Sequence, residues 1–417
     1  MIKTNMDALI NIFRLNNIIK INFRVMIPIL FLCAIGLIAL KSTSIDTLGE
    51  HSVFYKQFVW LFCGLLIFIF FQFIRNQAFY EYAYILYIIL LLLIAATLFM
   101  PAINNSTRWI LIGSFQFQPS EFGKIIIIFA LARFISDYKD TLNDNQLIIF
   151  SFIIGLLPLL LIFKQPDYGT GLMYLLPMLP MLYWSGVKFK ILSLYLFPIL
   201  SMLAAMNLLA YYMWMVFLIF ILVYHKFRLV TIIFNFIINI TFGLFNAYAW
   251  TYLLKDYHKG RIIDFMQSIF NPENSNLMGI GYQAFQSKVA IGSGGFLGKG
   301  LGEGTQSYLR FLPIKDSDFI LSVISEEMGL FLVTTIVITF LVFLYFVIDY
   351  AQRLFNKFYS LCLVGFCSIL FFHIIINMSM VSGLFPVIGL PFPFISYGGS
   401  FMLSCFIMIA IINNIIN

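Results

Sequence analysis

Charge is what this sequence has least of. Only 10% of its 417 residues are Asp, Glu, Lys or Arg, while 62% are hydrophobic and 18% aromatic. So little polar surface cannot coat a soluble globule of that length, which leaves a polytopic membrane protein. Cysteine is scarce too. Cys33, Cys63, Cys362, Cys367 and Cys405 all lie in apolar runs, none spaced as a metal site, so no disulfide framework is expected and they read as small buried hydrophobes. The formal charge of +7 is scattered among loops and forms no basic domain, which excludes nucleic acid as a partner and fits insertion orientation and anionic membrane lipid. No small-residue cleavage site follows the first apolar run, so the start of the chain is read as uncleaved and cytoplasmic. Soluble domains, low-complexity linkers and long internal repeats are missing as well, and residues 1–417 read as one membrane domain.

A helix crosses the hydrocarbon in about 20 residues. On that ruler spans fall near 25–41, 54–74, 79–100, 119–136, 147–163 and 170–185. The apolar stretch from Phe189 to Tyr224 is too long for one crossing at about 1.5 Å per residue and divides near Asn207 to Tyr212. Further spans near 229–254, 319–348, 358–380 and 397–415 give an all-α fold of about twelve transmembrane helices. Arg75, Arg133, Lys139, Lys188, Lys190, Lys226, Arg228, Arg353 and Lys357 then share one side, which is cytoplasmic. The stretches 101–118, 164–169, 255–318 and 383–396 face outward.

The longest polar interruption is residues 255–318, with nine glycines between Gly279 and Gly304. Glycine lets backbone come close to a ligand. No G-x-x-x-x-G-K-[ST] phosphate loop occurs there, since position 293 is Ser and position 300 is Gly, so a nucleotide site is not expected. Three other stretches carry polar motifs: RWILIGSFQFQPSEFGK at 108–124, KQPDYGTG at 164–171 and GLFPVIGLPFPFISYGGSF at 383–401. Pro386, Pro391 and Pro393 rule out continuous helix in the last, which reads as a re-entrant segment with Ser396 and Tyr397 at its deep end. Glu121 and Lys124, at i and i+3, form either a structural ion pair or a functional one. Asp167 is turn chemistry or catalytic chemistry with equal weight. Glu326 and Glu327 divide the same way between helix packing and a cavity role. His373 has no second His or Cys at helical metal spacing and reads as a packing residue.

Taken together, these four stretches resemble the SEDS family, membrane glycosyltransferases that polymerise peptidoglycan from lipid II. The match runs from about Arg108 to the end of the chain. The resemblance implies a ten-span scaffold, here with one added hairpin within 189–254, and a location in the bacterial cytoplasmic membrane. It implies cell-wall synthesis for elongation and shape, with lipid II as substrate and a class B penicillin-binding protein as transpeptidase partner. Arg108 becomes a candidate for the lipid diphosphate, which a guanidinium grips through two parallel hydrogen bonds, against the plainer reading of an anchor beside Trp109. Lys124 is a second cation candidate; Glu121, Asp167, Lys288, Ser396 and Tyr397 complete the substrate-binding set. No cofactor is specified, and a divalent cation is left open. The family's catalytic Asp, five residues ahead of the second glycine of G-x-G-Y, falls on Asn276, while counting forward from Asn271-Pro272 gives Ser275. An amide does not accept a proton near neutral pH, so Glu273, then Asp264, are the carboxylates expected to substitute. That departure keeps a non-catalytic lipid II-binding scaffold in view, and the intramembrane Glu121, Lys124, Glu326 and Glu327, which could line a polar path, keep a lipid II flippase in view.

Overall fold

A computed structural model describes residues 20–44, 52–102, 106–113, 115–253, 256–270, 281–308 and 315–417. Helix dominates because backbone placed in hydrocarbon must satisfy its own hydrogen bonds. The chain runs through α1 (Phe23–Thr43), α2 (Val53–Gln72), α3 (Asn76–Glu81) and α4 (Ala83–Thr97) into a small hairpin, β1 (Ile110–Ile112) and β2 (Phe115–Phe117). It continues through α5 (Pro119–Tyr138), α6 (Asp144–Lys164), α7 (Tyr168–Leu172), α8 (Met178–Trp184), α9 (Phe189–Ala204), α10 (Leu208–Tyr224) and α11 (Leu229–Tyr248). The polar stretch then contributes α12 (Asp256–Phe270), α13 (Tyr282–Gly294) and α14 (Thr305–Tyr308), before α15 (Ile320–Arg353), α16 (Lys357–Val381) and α17 (Gly399–Ile416). Among the described residues, α1, α2, α6, α11, α15, α16 and α17 are long and apolar enough to cross a membrane, and α4, α9 and α10 are apolar but shorter.

Lipid is as apolar as leucine, so the bundle is held by close packing and interhelical hydrogen bonds. Helices α16 and α17 are its centre: α17 packs on α2 and α5, and α16 on α15, α5 and α8. Phe129 of α5 stacks on Phe79 at 5.1 Å and meets Phe366 of α16 edge-on at 5.8 Å. At one end of the bundle, Asn413 Nδ2 donates to the Lys20 carbonyl and to Gln72 Oε1, and Asn414 Nδ2 donates to the carbonyls of Phe71 and Ile74. These amides tie α17 to the chain before α1 and to the end of α2. At the outer ends Gly36 of α1 lets the re-entrant segment in; a Cβ there would lie 2.8 Å from the Ile395 backbone.

Three elements differ from the sequence reading. The span expected at 170–185 is two short helices, because Pro177 and Pro180 remove backbone donors and Pro177 starts α8. A break at Tyr82 divides the third span into α3 and α4. Residues 255–318, expected as a loop, carry three helices in their described part, and α13 packs along α15. The division of the 189–224 stretch does fall at Asn207, whose side chain accepts from the amides of Leu209 and Ala210 and caps α10. Helices α9 to α11 form a satellite around Phe197, Met215, Leu218 and Leu222, apart from the main core. A buried polar chain binds them: Trp214 Nε1 donates to Ser201 Oγ, which donates to Asn239 Oδ1, while Asn239 Nδ2 reaches Asn235.

Candidate active site at the outer face

The hairpin before α5 carries Arg108 toward the turn between α6 and α7. Arg108 Nη1 lies 3.3 Å from Asp167 Oδ2 and its guanidinium sits 5.6 Å from the Trp109 ring centroid. The arginine side chain is 37% exposed, whereas the Asp167 side chain is 6% exposed, so the pair has a fixed buried half and an open half. Asp167 is fully engaged: Oδ1 accepts from the Thr170 amide and caps α7, and Oδ2 also accepts from Gln118 Nε2 at 2.9 Å. Gln118 reaches Ser120 Oγ as well, and its own amide points to Ser400 Oγ at the start of α17. Two of the sequence motifs are thereby joined to the third. Arg108 Nε is buried and has no hydrogen-bond partner among the described residues.

The re-entrant segment closes the opposite wall. Ser396 is fully buried; its hydroxyl donates to the Ser317 carbonyl at 2.6 Å and accepts from the Phe392 amide at 2.8 Å. Gln57 of α2 donates to the Ser396 carbonyl at 3.0 Å, and the Tyr397 amide donates to the Asp316 carbonyl at 2.9 Å. Asn377 of α16 donates to the carbonyls of Asp318 and Leu390. From α12, Arg261 Nη1 donates to the Val387 carbonyl at 2.6 Å. Ser396, expected to meet substrate, is instead spent on closing this turn. Tyr397 keeps a half-buried side chain beside it.

Lys124 lies deeper. It is wholly buried, 2.7 Å from Glu121 Oε2 and 3.1 Å from His373 Nε2, with the Phe401 ring centroid at 5.2 Å. His373 Nδ1 lies 3.3 Å from the Pro391 carbonyl, which can only accept, so Nδ1 carries the proton and Nε2 accepts from Lys124. Glu121, Lys124 and His373 are a sealed chain joining α5, α16 and the re-entrant segment rather than a surface for phosphate. Lys288 of α13 is half-buried, with its stem against Gly383, where a Cβ would fall 1.9 Å from Lys288 Cε. Glu273 and Asn276 lie outside the described residues, as does the side chain of Asp264 on α12. No group of three His, Cys, Asp or Glu among the described residues is arranged to hold a metal ion.

Glu326 and Glu327 resolve to a latch. Glu326 accepts from Lys299 Nζ at 2.8 Å, from Thr305 Oγ1 at 2.8 Å and from the Gln306 amide, and Glu327 accepts from Ser42 Oγ and the Gly302 amide. Main chain pairs across the same junction. The amides of Lys299 and Gly300 donate to the carbonyls of Glu326 and Glu327, and those of Leu330 and Phe331 donate to Gly295 and Phe296. Gly329, at φ 75, breaks α15 to allow it. Gly294 and Gly298 thus lie against the backbone of Ser325 and Glu327.

Sequence reasoning passed over Asp318. Its carboxyl lies within electrostatic reach of Arg108, Arg261 and Asp167, and burial raises its pKa above the ordinary carboxylate range against the pull of the two arginines. An acid immediately before a span, in Lys315-Asp316-Ser317-Asp318-Phe319, was the available signal.

These features define a helical, multi-pass membrane protein whose polar motifs meet around an arginine and carboxylate pair. The chain belongs to the cell cycle protein family of FtsW, RodA and SpoVE, which it matches over residues 23–214 and 189–417. It is 31% identical over 339 residues to the peptidoglycan glycosyltransferase MrdB of Escherichia coli K12, covering 81% of this chain and 78% of that one. With the peptidoglycan glycosyltransferase RodA of Treponema pallidum it shares 28% identity over 441 residues, covering 93% and 95%. Its fold is similar to a solved chain from a peptidoglycan synthase complex, with TM-score 0.71 and 24% identity over 96% of this chain and 98% of that one. The rod shape determining protein RodA of Thermus thermophilus gives TM-score 0.61 at 20% identity over 95% and 97%. Family and long apolar helices together make this a multi-pass protein of the bacterial cytoplasmic membrane.

Proposed function

We propose that this chain is a peptidoglycan glycosyltransferase that polymerises lipid II on the outer face of the cytoplasmic membrane, working beside a class B penicillin-binding transpeptidase. The observation that carries the reading is Arg108. Its guanidinium is oriented from behind by the buried Asp167, is partly open in front, and keeps Nε without a partner among the described residues. A planar cation held this way suits the two oxygens of a diphosphate, and an outward arginine runs against the insertion bias unless it has such a use. Arg261, anchored on the Val387 carbonyl, acts together with Arg108 on the charge of Asp318 and is a second guanidinium in electrostatic reach of it. In the reaction a sugar hydroxyl oxygen attacks the anomeric carbon of the lipid-linked sugar, the carbon to diphosphate bond breaks, and the electron pair leaves with the polyprenyl diphosphate. Guanidinium groups on the departing oxygens stabilise the charge that develops there. The relatives named as glycosyltransferases support the same activity here.

A flippase needs a polar path from the inner leaflet, and Glu121, Lys124, Glu326 and Glu327 are instead closed into contacts with protein. The scaffold reading rests on Asn276. Incubating the purified protein with lipid II, with and without the transpeptidase, separates the two. Glycan chains are the expected product, and lipid II binding without any glycan overturns the enzyme in favour of the scaffold.

A further inference from the structure

We propose that Asp318 is the proton acceptor of the transfer, taking the proton of the attacking sugar hydroxyl; this rests on the glycosyltransferase reading. Four of the other carboxylates with described side chains are otherwise committed. Glu121 is sealed against Lys124, Asp167 has both oxygens engaged, and Glu326 and Glu327 belong to the latch. Glu303 is exposed on the turn after Gly300, and Asp316 lies beside Tyr397. Asp318 differs from all of these in its surroundings. Its backbone is pinned by Asn377 at 2.9 Å, so the carboxyl is fixed at the mouth of α15. Facing it is Gly389, at φ 74, where a Cβ would lie 3.3 Å from Asp318 Oδ2. The absence of a side chain there spares that oxygen a close contact.

The charges around Asp318 suit the task. Arg108 from the hairpin and Arg261 from α12 lower its pKa, as does the hydrogen bond from Ser317, while Asp167 before α7 raises it; Asn377 of α16 is uncharged. Burial outweighs the rest and leaves the carboxyl a stronger base than one in water. The two guanidinium groups that would hold the leaving diphosphate thus flank the group that would receive the proton. In the step, the hydroxyl oxygen bonds to the anomeric carbon, the diphosphate departs with its electron pair, and the hydroxyl proton passes to Asp318 and then to water on the outer side.

The test is a pH series of lipid II polymerisation by the full-length protein with its transpeptidase. In the parent, activity should fall toward acid as Asp318 takes up its proton, beginning at a higher pH than an ordinary carboxylate requires. Asp318→Asn should lower kcat by about 10² to 10⁴-fold, leave KM for lipid II near the parent value, and abolish the acidic limb. Asp318→Glu should restore part of kcat and return the limb at a shifted pH, which a purely structural carboxylate would not do. Asp316→Asn should retain the limb whatever it does to the overall rate. A limb that survives in Asp318→Asn, or a loss confined to KM, overturns the proposal while the enzyme stands. A parent that makes no glycan at any pH overturns both.

Discussion

Arg108 and Lys124 are both cations beside carboxylates, and burial separates their roles. Lys124 has no exposed surface, so Lys124→Met would leave Glu121 charged, buried and without its counter-ion. That change should cost about 3–5 kcal/mol, read as a lowered Tm in detergent, and lipid II binding should fall only as the fold does. Arg108→Lys should leave Tm near the parent value. Losing one charge-assisted hydrogen bond, worth about 1.5–3 kcal/mol, should weaken lipid II binding roughly tenfold to a hundredfold, because an ammonium lacks the two-point grip. Equal binding by Arg108→Lys, Arg108→Ala and the parent would make Arg108 an interfacial anchor. The residue types of this site were legible in the sequence, since an outward arginine and an acid in a turn stand out in so apolar a chain. Their depth was not. Ser396 and Lys124 are buried by segments far away in the sequence, Ser317 for one and His373 for the other, and no local pattern encodes that. Asp318 was missed for the converse reason: as the last polar residue before a span it read as a boundary marker.

Element by element, the periodless apolar runs gave most helices their place, and proline and glycine decided where they stop. The sequence did contain the break of α15, but its meaning depended on the partner. Gly329 has a positive φ, and a Cβ there would lie 2.4 Å from the Gly298 amide nitrogen and from the Phe296 carbonyl oxygen. Gly329→Ala should therefore cost more than the roughly 1–2 kcal/mol of a left-handed alanine alone, since backbone on both sides must part. Hydrogen exchange is the measurement: the amides of Lys299, Gly300, Leu330 and Phe331 should lose protection together. Protection unchanged at all four would mean that the junction does not depend on the glycine. Lys299→Met should free part of the same set by leaving Glu326 one donor short. The short hairpin β1–β2 was not anticipated, because its strands have three residues each and follow no alternation.

For the whole molecule, composition alone gave the class, and the lysines and arginines are the basis for the expected sides. The count of crossings is the finer matter, and we expect twelve, with α7 and α8 together making one and α9 to α11 adding a hairpin to a ten-span scaffold. Single cysteines at Phe227 and Leu301 test it, because the native cysteines sit in helices and four of the five are buried. An impermeant thiol reagent applied from outside should label the Leu301→Cys protein and spare Phe227→Cys; the reverse would turn the polar stretch to the cytoplasm. The satellite of α9 to α11 has its own small core, so Asn239→Ala should loosen those helices by about 0.6–1.7 kcal/mol with little effect on glycan synthesis. The latch on α15 also sets a sequence of events during synthesis. The glycine run and Lys299 leave the ribosome before Glu326 and Glu327, so when the two carboxylates are added these partners are already made. A nascent chain that stops short of Glu326 leaves the glycine run outside with no backbone to pair, whereas one emerged past Phe331 holds every partner of the junction. Complete closure of this junction therefore cannot precede the synthesis of Phe331.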